Sequence, residues 1–154
     1  MTASSKENNF KLMKVIAYNI KPDEKEWLAL ANYKKHDITI IANSLTVDTL
    51  SFATGKEALL VFNNDVLTAE IITGLKALGI KYIATSSFET GHLDLNAAGA
   101  AGIKIANVPL TEIAQNPELR MQQVVKNLDQ WAAGKCVGKA CCCQNDCGVA
   151  KALK

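Results

Sequence analysis

The chain has 154 residues, 49% of them apolar and 21% charged, with a formal net charge of +2. That is the size and balance of one globular domain with a single core, and nothing in it asks for nucleic acid or an acidic membrane surface as a partner. No stretch approaches the ~20 uninterrupted apolar residues of a membrane-spanning helix. The N-terminus, MTASSKENN, has no apolar signal-peptide core, so a cytoplasmic location is expected.

Residues 1–10 are polar and aperiodic and read as an unstructured leader. Leu12 to Tyr18 then forms a short apolar run, a buried strand, and Lys21-Pro22-Asp23 opens a helix with proline in its first turn. In that helix Trp27, Leu28, Ala31 and also Leu30 are read as the buried stripe, while Glu24, Lys25 and Lys34 are read as facing water. His36 is read as exposed ahead of the next strand, the β-branched run Ile38 to Ala42. A weak helical pattern follows from Thr46 to Phe52, capped by Ser44 or Thr46.

The third strand is Ala58 to Phe62, broken by Asn63-Asn64-Asp65. Thr68 caps a helix carrying Ile71, Ile72, Leu75 and Leu78, which Gly79 stops. Tyr82 to Thr85 is the fourth strand, Asp94 to Ala101 a short helix ended by Gly102, and Ile103 to Ala106 the fifth strand. The strongest helix is last: Asn116 caps it, Pro117 starts it, and Met121, Val124, Val125, Leu128, Trp131 and Ala132 recur on one face up to Gly134.

Five apolar strands alternating with helices predict an α/β fold, a doubly wound parallel sheet covered on both faces, because parallel neighbours need crossover connections. Ligands of such sheets sit beyond the carboxyl ends of the strands, which directs attention to the loops 19–23, 43–46, 63–68 and 85–94.

The five cysteines, Cys136, Cys141, Cys142, Cys143 and Cys147, all fall in the last nineteen residues. An odd, crowded set suits a reducing compartment better than a disulfide framework. The chain therefore divides into a leader (1–10), a body (11–134) and a cysteine-rich tail (135–154). Clustered thiolates are candidate ligands for zinc, copper(I) or an Fe–S cluster, although three consecutive cysteines do not easily turn to one ion. Free thiols, with Lys135 and Lys139 favouring their reactivity, are the alternative.

The segments LKALGIKYIAT (75–85), HLDL (92–95) and AAGAAGIKIANVP (97–109), with MKVIAYN (13–19) and LVFNND (60–65), closely resemble the D-2-hydroxyacid dehydrogenases. The final helix looks like that family's returning helix. The resemblance implies a flavodoxin-like three-layer α/β/α substrate domain with a five-stranded parallel sheet, into which the family inserts an NAD-binding domain before the returning helix. Here only seven residues, Leu110 to Asn116, fill that interval, where an inserted domain needs on the order of 100 to 150.

No G-x-G-x-x-G turn for a dinucleotide pyrophosphate occurs in the chain, and Gly99 to Gly102 has the wrong spacing. The catalytic His, Arg and Glu that the resemblance implies belong to the missing part and have no counterpart here. No NAD is therefore expected, nor any flavin, since Asn19 to Asp23 lacks a phosphate-binding loop's chemistry.

The resemblance implies a substrate-carboxylate loop at Ser86, Ser87, Phe88, Glu89, Thr90 and Gly91, with Glu89 standing at the family's glycine and Gly91 at its usual Asp or Asn. An inward Glu89 would repel an anion, and a side chain there restricts the backbone. His92 is read as a loop or capping residue rather than a general base, and Ser86 and Ser87 lack an activating partner. Three functions remain open: a non-catalytic module binding a small carboxylate, a protein-interaction module that pairs with itself or another chain over the vacated face, and an oxidoreductase half completed in trans by a separate NAD-binding protein.

Overall fold

A computed structural model describes residues 12–62 and 65–135. The leader (1–10), Asn63 and Asn64, and all five cysteines with the proposals attached to them lie outside the described residues. Five strands form one sheet: β1 (Lys14–Ala17), β2 (Asp37–Ile40), β3 (Ala58–Val61), β4 (Tyr82–Thr85) and β5 (Lys104–Ala106). Their order is β2-β1-β3-β4-β5 and every pairing is parallel, the doubly wound arrangement expected for alternating strands and helices.

Strand residues alternate between the two faces. Ile16, Leu59, Ile83 and Ile105 are in register across four strands and enter one core. That face is covered by the 3-10 helix Val47–Ala53, by α2 (Ala69–Ala77) and by α3 (Leu95–Ala101). Val15, Ala17, Ala58, Leu60, Ala84 and Ala106 face the other way, against α1 (Pro22–Asn32) and α5 (Pro117–Ala132). The alanines let α5 come close, and Trp131 stacks on Tyr82 with ring centroids 4.9 Å apart.

Local sequence signals act as expected at the helix ends. The Thr68 hydroxyl accepts from the Ile71 amide, Asp94 from Ala97 at 2.9 Å and Asn116 from Leu119 at 3.0 Å. Gly102 closes α3 at φ 75°, a conformation that penalises any side chain.

The structure refines the reading of two segments and corrects that of Leu30, Glu24 and His36. The segment after β2 is a 3-10 helix, tightened where the Thr49 hydroxyl donates to the Ser44 carbonyl at 2.7 Å. Leu30 is 63% exposed, and Glu24 is buried. At about 100° per residue Glu24 falls within the stripe of Trp27, Leu28 and Ala31, whereas Leu30 lies well outside it. Residue type had assigned Glu24 to solvent, but helical phase decides its place.

His36 is buried, not exposed. Its Nδ1 accepts the Met13 amide at 3.2 Å, which leaves the proton on Nε2 to donate to Asp129 at 2.8 Å. The Asn32 side chain brackets the His36 backbone, donating to its carbonyl at 2.8 Å and accepting from its amide at 2.9 Å. The interval before α5 contains a short helix, α4 (Thr111–Ala114), that periodicity did not reveal. Among the described residues no helix is long and apolar enough to cross a membrane.

Candidate functional site

A pocket of about 450 Å³ opens at the carboxyl ends of the strands, where the topology of such sheets leaves a crevice. Asn19 and Lys21 enter it from the β1–α1 connection, Glu24 from the first turn of α1, and Phe62 from the end of β3. Ser86, Ser87, Phe88 and Glu89 come from the loop after β4, Thr111, Ala114 and Gln115 from α4 and its end, and Arg120 from α5. Of the six residues expected from the sequence, the structure brings the first four to the pocket and leaves Thr90 and Gly91 outside its lining.

The loop is held from within. The Ser86 amide donates to Val61 O at 3.0 Å, the Val108 amide to Ser87 O at 3.0 Å, and the Asn107 side chain to Phe88 O at 2.7 Å. The Ser87 hydroxyl donates to Glu89 O at 2.7 Å, so it accepts from the Thr85 hydroxyl, also at 2.7 Å. With its one proton so committed, Thr85 accepts from Nε2 of His92 at 3.1 Å. Burial holds the His92 imidazole below its usual 6.5, with the Asp65 charge acting in the opposite sense. The relay runs from imidazole to loop carbonyl and gives Ser87 no base to activate it.

No residue between Thr85 and His92 has a positive φ. Glu89 and Gly91 thus sit on backbone that ordinary side chains adopt. Within the described residues no hydrogen bond engages the amides of Phe88 or Glu89. Both residues are exposed and line the pocket.

Two features of the pocket escaped the sequence reading. Asp65 is 1% exposed and accepts from the Phe62 amide at 3.1 Å, the Leu45 amide at 3.2 Å and the Asn19 side chain at 3.4 Å. It ties three loops together and steadies Asn19, whose φ is 61°. Burial and then the nearby Asp65 charge push the Tyr18 phenol up to about 12.

The second feature is an ion pair. Arg120 Nη2 meets Glu24 Oε2 at 2.8 Å and Nη1 donates to Ala114 O at 2.7 Å, while Glu24 Oε1 accepts the Lys21 amide at 3.3 Å. Arg120 Nε is buried with no partner among the described residues. The position of Glu24 in the buried stripe was a signal available in the sequence; nothing local marked Arg120. No group of three or more metal-ligating side chains occurs among the described residues.

Residues 14–116 match the family model of the D-isomer specific 2-hydroxyacid dehydrogenase catalytic domain. The chain belongs to this family. The aromatic 2-oxoacid reductase of Clostridium sporogenes is 32% identical over 100 residues, 63% of this chain and 30% of that protein. The D-lactate dehydrogenase of Escherichia coli K12 is 33% identical over 107 residues, 69% of this chain and 31% of that enzyme.

The apo structure of D-lactate dehydrogenase from Escherichia coli superposes with a TM-score of 0.62 at 32% identity, covering 64% of this chain and 31% of that one. The pyruvate reductase of Chlamydomonas reinhardtii gives 0.63 at 27% identity, covering 66% and 30%. The chain thus spans about 30% of the length of these D-2-hydroxyacid dehydrogenase relatives. Every pocket residue except Arg120 lies inside the stretch that the family model matches.

Proposed function

We propose that this chain is a non-catalytic binding module of the 2-hydroxyacid dehydrogenase family, taking a small 2-oxo or 2-hydroxy carboxylate in the pocket at the strand ends. The observation that carries this reading is the pair of unengaged amides at Phe88 and Glu89 in a pocket also lined by Lys21 and Arg120, whose charges Glu24 and Glu89 offset. Amide donors and fixed positive charge are what a carboxylate replaces its water with. The volume of about 450 Å³ falls in the range of small-molecule sites.

The non-catalytic part rests on chemistry. The 154 residues contain no Gly-rich dinucleotide turn, and Ser87 and His92 are engaged in holding the loop. Isothermal titration of the full chain with pyruvate, D-lactate and phenylpyruvate is expected to give a dissociation constant of about 0.1–1 mM for at least one acid. Pyruvamide, which lacks the charge, is expected to give no heat. NADH is expected to remain unbound and unoxidised in the presence of pyruvate. Absence of heat with all three acids at millimolar concentration would end the carboxylate reading; NADH oxidation on mixing would favour an enzyme half completed in trans.

A second reading, association through the same end of the sheet, is favoured by exposed apolar side chains there. Val66, Phe88, Leu110 and Leu119 are 60%, 38%, 54% and 43% exposed and follow β3, β4, β5 and the start of α5. Grouped apolar surface of this kind is commonly covered by a partner, and a second copy is the simplest one. Light scattering at micromolar concentration is expected to return twice the 16.6 kDa chain mass, and Leu110→Glu with Leu119→Glu is expected to restore the monomer. A monomeric mass for the unaltered chain would count against it.

A further inference from the structure

We propose that Arg120 is the residue of the pocket that receives the ligand's acid group, and that Glu24 is an internal counter-ion with which the ligand competes. This rests on the carboxylate reading above and names the groups that set affinity in the same pocket.

The guanidinium is oriented before any ligand arrives. Its two arms are anchored on different elements, Nη1 on Ala114 O of α4 at 2.7 Å and Nη2 on Glu24 of α1 at 2.8 Å. A guanidinium carries five N–H donors; among the described residues these two bonds are made, and Nε is buried without a partner there. Arg120 lines the pocket with Lys21 and with the Glu24 and Glu89 carboxylates, so a ligand's acid group reaches the guanidinium only in competition with a carboxylate already there. The Arg120 and Glu24 side chains are 18% and 9% exposed, so their interaction is screened less than a surface pair.

Glu24 occupies the place an incoming acid group would take. It is a carboxylate, it accepts one backbone amide and one guanidinium arm, and it lines the same pocket. A purely structural pair, there to join α1 to α5, also explains the contact. The two readings separate on sign: for a structural pair, loss of either member loosens the site, whereas for a receptor and its competitor the two losses act in opposite directions.

Glu24→Gln, Arg120→Gln and Arg120→Lys are titrated with pyruvate and with pyruvamide, alongside the unaltered chain. Glu24→Gln keeps an oxygen for the Lys21 amide and removes the competing charge; pyruvate affinity is expected to rise about fivefold. Arg120→Gln is expected to weaken it at least about tenfold, and Arg120→Lys, which keeps charge but not the two-armed fork, by an intermediate factor. Thermal melts accompany each titration. If Arg120→Gln fails to fold, the rise in Glu24→Gln and the partial loss in Arg120→Lys still decide the matter.

Pyruvate binding by the unaltered chain with unchanged affinity in the Arg120 variants would overturn this assignment and leave the carboxylate reading standing. Weaker binding in Glu24→Gln would do the same, marking the pair as structural. No binding of any acid by the unaltered chain sinks the reading itself and this assignment with it.

Discussion

Asp65→Ala is expected to lower unfolding free energy by about 3–5 kcal/mol, measured by urea denaturation followed by circular dichroism. The carboxylate is 1% exposed and is the acceptor for the Phe62 and Leu45 amides and the Asn19 side chain. Removing it leaves two backbone donors with neither protein nor bulk water to meet them, and each such buried donor costs about 1–3 kcal/mol. The loss is a large share of the roughly 5–15 kcal/mol that holds a domain of this size together. Asp65→Asn preserves shape but turns an NH2 toward donors, and is expected to lose somewhat less. A change within about 0.5 kcal/mol in either variant would mean that Asp65 does not organise these loops.

The same carboxylate acts on Tyr18, whose phenol is raised from 10.0 to about 12, first by burial and second by Asp65. A group whose folded pKa is raised contributes stability below its unfolded pKa and loses it as pH climbs through the folded value. Stability from Tyr18 is therefore present below pH 10.0 and is lost between 10.0 and about 12. In Asp65→Asn the phenol, followed by ultraviolet absorbance, is expected to titrate lower than in the unaltered chain but still above 10.0, since burial remains.

Deleting residues 117–154 is expected to abolish cooperative folding. The deletion takes away Met121, Val124, Val125, Leu128 and Trp131, all buried against β1, β3, β4 and α1. Fully burying an apolar side chain of this kind stabilises by about 1.5–3 kcal/mol, so five of them together are comparable to the net stability of an ordinary domain. It also removes Asp129, the partner of His36 and Lys35. A chain shortened after Gly134 keeps all of these and is expected to retain a cooperative transition. A sharp thermal transition from the shorter product would show that α5 is an accessory to the fold rather than a layer of it.

The helix α5 stands beyond the residues that the family model matches, yet its face was plain from Met121 to Ala132 at helical spacing. What the sequence did not reveal was the short helix α4 that positions α5. Thr111–Ala114 is a single turn, too short for a 3.6-residue period to repeat. The 3-10 helix Val47–Ala53 was partly legible for a similar reason, as its weak pattern fits no α-helical stripe. In the pocket, Ser86 to Glu89 were identifiable through the family motif around HLDL, and the backbone they adopt was not. Glu89 was suspect for replacing a glycine, but the loop has no positive φ and asks for no glycine.

The amino-acid sequence by itself determined the class of fold, the five strands, the helix caps at Thr68, Asp94 and Asn116, and the family. Each is written in residues close together along the chain: an alternation, a period, a cap, a motif. The tertiary structure alone decided that Glu24 meets Arg120 across 96 positions and that His36 meets Asp129 across 93. A charged or polar side chain reads as solvated until its partner is known. These partners come together only when α1 and α5 settle side by side on the same face of the sheet, and there a buried charge becomes tolerable because its counter-charge is already in place.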